Sequence, residues 1–172
     1  MSNEYIILTV QIIAALGVVV SVIYLGVQIH QQNQITKAQF GHSLTQRQYD
    51  RFFNTTKDGE FSTFLAKDWN ADDLTNTEKW RINHFVMMCL VDLFDVYDKV
   101  EQGFVDKSHL TSRINALRLG VMKSDAGRGV WNYMKKNRSD KFNEWFEYEI
   151  YERELEVDDE AAERTKGLNI IR

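Results

Sequence analysis

The side chains in this 172-residue chain that can do acid–base, nucleophilic or metal chemistry are four histidines, one cysteine and a scatter of carboxylates. The histidines, His30, His42, His84 and His109, do not cluster along the chain. Asp92 with Asp95, and Asp106 with His109, have the i, i+3 spacing that sets two ligands on one helix face, as in carboxylate-bridged metal bundles. Such a centre needs Glu-x-x-His pairs on two helices, and the chain has none. Asp106 reads more simply as a helix cap and His109 as a first-turn residue. A single cysteine, Cys89, rules out paired-thiolate zinc sites and an internal disulfide. Gly127-Arg128-Gly129 lacks the preceding strand and the spacing of a phosphate-cradling loop. Trp69, Trp80, Trp131 and Trp145 lie at helical spacing from other apolar residues and are expected in the core. The chain is therefore expected to hold no metal, no cofactor and no catalytic constellation.

Asp92 is the exception that asks for a partner. It sits among Met88, Cys89, Val91, Leu93 and Val96, so it must either face water on a narrow stripe or be paired inside the protein. Arg113 and Arg118 are the candidate partners. A paired acid that sets helix register is the expected role, in preference to an acid with a raised pKa used in catalysis.

The elements that would position these residues are helices. The chain has no proline at all, which favours long uninterrupted helices, and no run of alternating strand-like residues. No Asp, Glu, Lys or Arg lies between Glu4 and Lys37, and Tyr5 to Val27 is almost wholly Ile, Leu, Val, Ala and Gly. At 1.5 Å per residue that stretch spans about 35 Å, enough to cross a hydrocarbon core of about 30 Å. A transmembrane helix is expected there, with Tyr5 and Tyr24 as interfacial anchors. The start Met1-Ser2-Asn3-Glu4 lacks the basic residues of a secretory signal, and the apolar run is too long for one. Lys37, Arg47, Arg51 and Lys57 follow the span, opposed only by Asp50, and no base precedes it. This charge bias predicts an N-terminus outside the membrane and a main domain in the cytoplasm. Within the span, Gln11, Ala14, Gly17, Ser21, Tyr24 and Gln28 recur every three or four residues, which forms a helix–helix interface seam where small residues permit close approach.

Beyond the span the first helix is expected to run to about Thr55, with Asp58 and Gly59 as its break. A short amphipathic segment follows (Phe61, Phe64, Leu65, Trp69). Thr75 with Glu78 has the form of a capping box opening a long helix that stops at Gly103. From Phe85 to Tyr97 only Asp92 and Asp95 interrupt the apolar residues, so this helix is expected to be covered on most sides. Further helices carry Leu110, Ile114, Leu117 and Val121, then Val130, Trp131, Tyr133 and Met134, and finally Phe142, Trp145, Phe146 and Ile150 behind a cap at Ser139 or Asp140. The fold class is all-α: one transmembrane helix over residues 1–29 with its short N-terminal flank, a cytoplasmic helical bundle over 30–155 and an acidic flexible tail over 156–172. From Glu147 onward nine acids face four bases, an excess larger than the whole chain's net charge of −4. The rest is nearly neutral, without the basic stripe that nucleic-acid binding requires.

The segment Tyr24-Leu25-Gly26-Val27-Gln28-Ile29, followed by Asn33, Thr36 and Ala38, resembles the exit of a group of uncharacterised bacterial single-pass membrane proteins whose N-terminal helix ends in YLxxQI. Tyr97 with Gly103-Phe104-Val105-Asp106, and the Arg128, Trp131 and Phe142 region, are similar to that group's later helices. The chain departs from it at His30, where an Arg is common. The resemblance implies an all-helical cytoplasmic domain and no particular activity. Taken together, these readings predict a membrane-anchored interaction or scaffold protein, not an enzyme. Its expected partners are the lipid bilayer and either further copies of itself or another membrane protein. The alternatives are an oligomeric pore or transport element, with Gln11, Ser21 and Gln28 turned to a shared axis, and a membrane-tethered sensor holding a ligand near Asp92.

Overall fold

A computed structural model of the chain describes residues 2–153; the tail expected over 156–172 lies outside them. The first helix, α1 (Ser2–Lys57), is unbroken for 56 residues, about 84 Å at 1.5 Å per residue. Its N-terminal part is exposed along its whole length among the described residues. The most apolar 18-residue window has a mean hydropathy of 2.7 and no buried residue, so this helix is long and apolar enough to cross a membrane. No break separates that part from the stretch beyond residue 30. The far end of α1 instead meets other helices along a stripe at Phe40, Gly41, Leu44, Gln48, Arg51 and Thr55, the spacing of one helix face. Leu44 is its fully buried member and contributes about 1.5–3 kcal/mol by leaving water.

Asp58 ends α1 and caps α2 (Gly59–Leu65), its carboxylate accepting from the Phe61 N–H. The expected capping box opens α3 (Asn76–Glu101): the Thr75 hydroxyl accepts from Glu78 N–H while the Glu78 carboxylate accepts from Thr75 N–H. Lys67 also donates to Glu78, and this bond, with those from Thr75, lowers the carboxyl pKa to about 2. α3 closes on Gly103, whose φ of 71° belongs to glycine, with Phe104 N–H bonded to Lys99 O and Gly103 N–H to Val100 O.

Around α3 pack α4 (Ser108–Leu119), α5 (Asp125–Met134) and α6 (Asp140–Glu147), joined by single tight turns. Ile82, Val86, Leu90, Leu93, Val96 and Tyr97 of α3 form the core with Leu110, Ile114 and Leu117 of α4, Val130 and Trp131 of α5, and Phe142 and Phe146 of α6. Trp131 stacks on Phe146 with centroids 4.0 Å apart, and Phe142 meets Tyr97 edge-on at 4.6 Å. Ser124 and Ser139 cap α5 and α6. All regular structure among the described residues is helical.

Two expectations need correction. Trp80 is not core: it is 61% exposed and stacks on His84, because no other helix covers the outer face of α3's first turns. Asp106 does not occupy the N-cap position of α4, since the helix begins two residues later; its carboxylate still accepts from Ser108 N–H. As expected, α3 is covered on most sides between Phe85 and Tyr97. Met88 and Val91 stay about half exposed, because α1 reaches α3 through long side chains and not by close backbone packing.

Candidate functional site

Asp92 lies where α1, α3 and α4 converge, 5% exposed. Of the two partners expected for it, Arg113 is the one present. Arg113 Nε donates to Asp92 Oδ2 at 2.8 Å, and both side chains are buried. Arg118 turns instead to Glu149, at 3.4 Å. The remaining donors of Arg113 are spent on α1 and on its own helix: Nη2 donates to the Leu44 carbonyl at 3.0 Å and Nη1 to the His109 carbonyl at 3.0 Å. One guanidinium thus ties three helices together, and its fork geometry lets it do so without leaving a charge unpaired.

Two further arginines arrive from α1, and the sequence reading did not foresee them. Arg51 Nη2 stands 3.0 Å from Asp92 Oδ2. Arg47 bridges two acids: Nη2 donates to Asp95 Oδ2 at 2.8 Å, while Nε lies 3.4 Å from Asp92 Oδ1. That last contact lacks hydrogen-bond geometry, so Asp92 Oδ1 is buried without a donor. Lys99, one turn after Asp95, completes the group. Burial works to raise the Asp95 pKa, but the hydrogen bonds from Lys99 and Arg47 outweigh it and hold this carboxyl below its usual range. The spacing of Arg47 and Arg51, one helical turn apart on the stripe that carries Leu44, is the signal by which they could have been found.

Four cations therefore share two carboxylates at a partly buried junction. Beside it opens a cleft of about 500 Å³ between α1, α2 and α3, with Asp92, Arg51 and Asn54 on its polar side and Phe61, Phe85 and Met88 on its apolar side. Cys89 lies within the core nearby, and burial pushes its thiol up to about 11, which keeps it protonated and a poor nucleophile at neutral pH. Among the described residues no three His, Cys, Asp or Glu side chains are placed to hold a metal ion. His42 and His84 are on exposed faces, His30 is on the exposed part of α1, and His109 lies near Gly41 and Asp106.

The seam residues of α1, Gln11, Ala14, Gly17, Ser21, Tyr24 and Gln28, are all exposed. The polar ones are partly satisfied within the helix: Ser21 Oγ donates to the Gly17 carbonyl at 2.7 Å, and Gln28 Nε2 donates to the Tyr24 hydroxyl at 3.0 Å. Comparison with known protein families, with curated proteins and with solved structures finds no match to this chain.

Proposed function

We propose that the protein is a single-pass membrane protein whose helical domain serves as an interaction module, either self-associating or acting as an accessory subunit of a larger membrane assembly. The observation that carries this reading is the bare apolar length of α1. From Tyr5 to Val27 its large hydrophobic side chains are 50% or more exposed, and no described residue covers them. Water does not tolerate a contiguous apolar surface of that size on a soluble monomer, whereas lipid requires it. The internal bonding of Thr9 and Ser21 to carbonyls one turn back suits the same environment, because it leaves no hydroxyl proton unsatisfied in hydrocarbon.

Further support comes from the continuity of α1, which runs without a break from the apolar stretch into the bundle. The basic residues Lys37, Arg47, Arg51 and Lys57 favour a cytoplasmic bundle and an external N-terminus in the inner membrane. The seam gives a second copy, or another membrane helix, a face of small and hydrogen-bonding residues against which to pack.

Fractionation tests the reading directly. After lysis, high-speed sedimentation and an alkaline carbonate wash, the chain should stay in the pellet and leave it only with detergent. Recovery in the supernatant without detergent defeats the membrane assignment. Mass measurement of the gently extracted material should then give more than one chain, and a lone monomer removes the interaction reading.

A further inference from the structure

We infer that the cleft between α1, α2 and α3 is a binding site for a small organic anion with an apolar body, such as an aromatic or medium-chain carboxylate. The charge at the junction is unbalanced. Arg47, Arg51, Lys99 and Arg113 are set against Asp92 and Asp95, which leaves two positive charges in excess. Asp50, next to Arg51 in sequence, accepts from Gln46 instead. Arg51 is the cation with most to offer: its one partner among the described residues is Asp92 Oδ2, an oxygen that Arg113 already occupies. The other guanidinium nitrogens of Arg51 form no hydrogen bond with described residues, and neither does the side-chain amide of Asn54, one turn further along the same wall. These are donors arranged for a carboxylate or phosphate oxygen.

The opposite wall supplies the other half of the recognition. Phe61 and Phe85 meet edge-on at 5.8 Å, and the half-exposed Met88 beside them is a flexible apolar surface with no protein neighbour filling the space in front of it. A cleft of about 500 Å³ with mostly apolar walls and a few convergent polar groups has the size and make-up of small-molecule sites. Asp92 Oδ1, nine-tenths buried and lacking a donor, adds a preference for a ligand that also carries a hydroxyl or N–H next to its acid group. A lipid headgroup is a poor occupant. Arg47 follows Val27 by twenty helical residues, roughly 30 Å along α1 at 1.5 Å each, well past the interfacial layer of a bilayer. Only this last step rests on the membrane reading; the cleft stands without it.

The test is calorimetric titration of the full chain in phosphatidylcholine nanodiscs, with empty nanodiscs as blank and naphthalene-2-carboxylate as probe. Naphthalene-2-methanol, naphthalene-2-methylamine and acetate are the comparators. Incorporation into the discs reports on the membrane reading separately from the binding. The carboxylate should bind at least tenfold more tightly than the neutral alcohol, the amine or acetate. Arg51→Gln should lose at least tenfold in affinity, and Met88→Asp, at an exposed wall position that the fold does not need, should lose as much by repelling the anion. Unchanged thermal melts of both variants keep the comparison interpretable. The inference is overturned by no heat above the blank, by equal binding of the carboxylate and the alcohol, by tighter binding of the amine, or by wild-type affinity in the well-folded Met88→Asp variant.

Discussion

The chain contains two long apolar helical stretches, Tyr5 to Val27 in α1 and Phe85 to Tyr97 in α3, and they meet opposite fates. The first has no Asp, Glu, Lys, Arg or His within it and is covered by no described residue. The second carries Asp92 and Asp95 and forms the centre of a packed core on all but one flank. The difference lies in the charges. A mostly apolar helix without charged side chains has nothing that must be solvated or paired with a counter-ion, so it suits lipid. A buried carboxylate inside an apolar stretch needs compensating cations, and those around Asp92 come from neighbouring helices, Arg47 and Arg51 of α1 and Arg113 of α4. Asp92 therefore assembles α1, α3 and α4 around itself.

The sharpest way to break this contrast is to empty the acid position in α3. Asp92→Ala leaves Arg113 buried without its carboxylate and should destabilise the bundle by about 3–5 kcal/mol, read as a lowered denaturation midpoint of the purified chain in micelles. Replacing the pair together, Asp92→Leu with Arg113→Met, should recover part of that loss, since the fully buried guanidinium is removed with its acid, while Arg51, 22% exposed, exchanges its carboxylate for water. The converse change places an acid in the uncovered stretch. Leu16→Asp should raise the cost of membrane insertion by about 2.5–3.5 kcal/mol and shift the chain toward the soluble fraction, with the melting of the bundle unchanged.

Smaller effects distinguish packed from open positions inside the bundle. A Cβ at Gly127 would lie 2.4 Å from the Val121 carbonyl oxygen, a backbone atom that cannot swing aside, so Gly127→Ala should cost about 1–3 kcal/mol. Gly129→Ala, in the same helix with open space around it, should instead raise stability by up to about 1 kcal/mol, and thermal melts of the two variants should move in opposite directions. The smallest effect is at the surface. Glu78 titrates at about 2 in the folded chain against 4.5 for an ordinary glutamate. Its contribution is thus fully present above pH 4.5 and is lost as the pH falls toward 2. In Glu78→Gln, melting temperature should fall less steeply over that interval than in the wild type.

Helix limits were readable one residue at a time because their causes are local. The Thr75–Glu78 box, the stop at Gly103 and the Ser139 cap each depend on groups within a few residues, and each forms as its spacing implies. Pairings across the fold were readable only in kind. The position of Asp92 demanded a cation, and Arg113 was one of two candidates, but Arg118 faces Glu149 and the α1 arginines were missed. Trp80 was misplaced for the same reason: its type suggests burial, while exposure depends on whether another helix happens to lie over that face.

The amino-acid order alone determined that the chain is helical, where most helices begin and end, and that one of them is long and apolar enough for a bilayer, because hydrogen-bonding range and side-chain hydration act along the chain. Tertiary structure decided which arginines gather on Asp92, that α3 keeps an open flank, and that a cleft lies there. Those outcomes depend on the angles at which helices cross, and a crossing angle is settled by contacts between residues tens of positions apart.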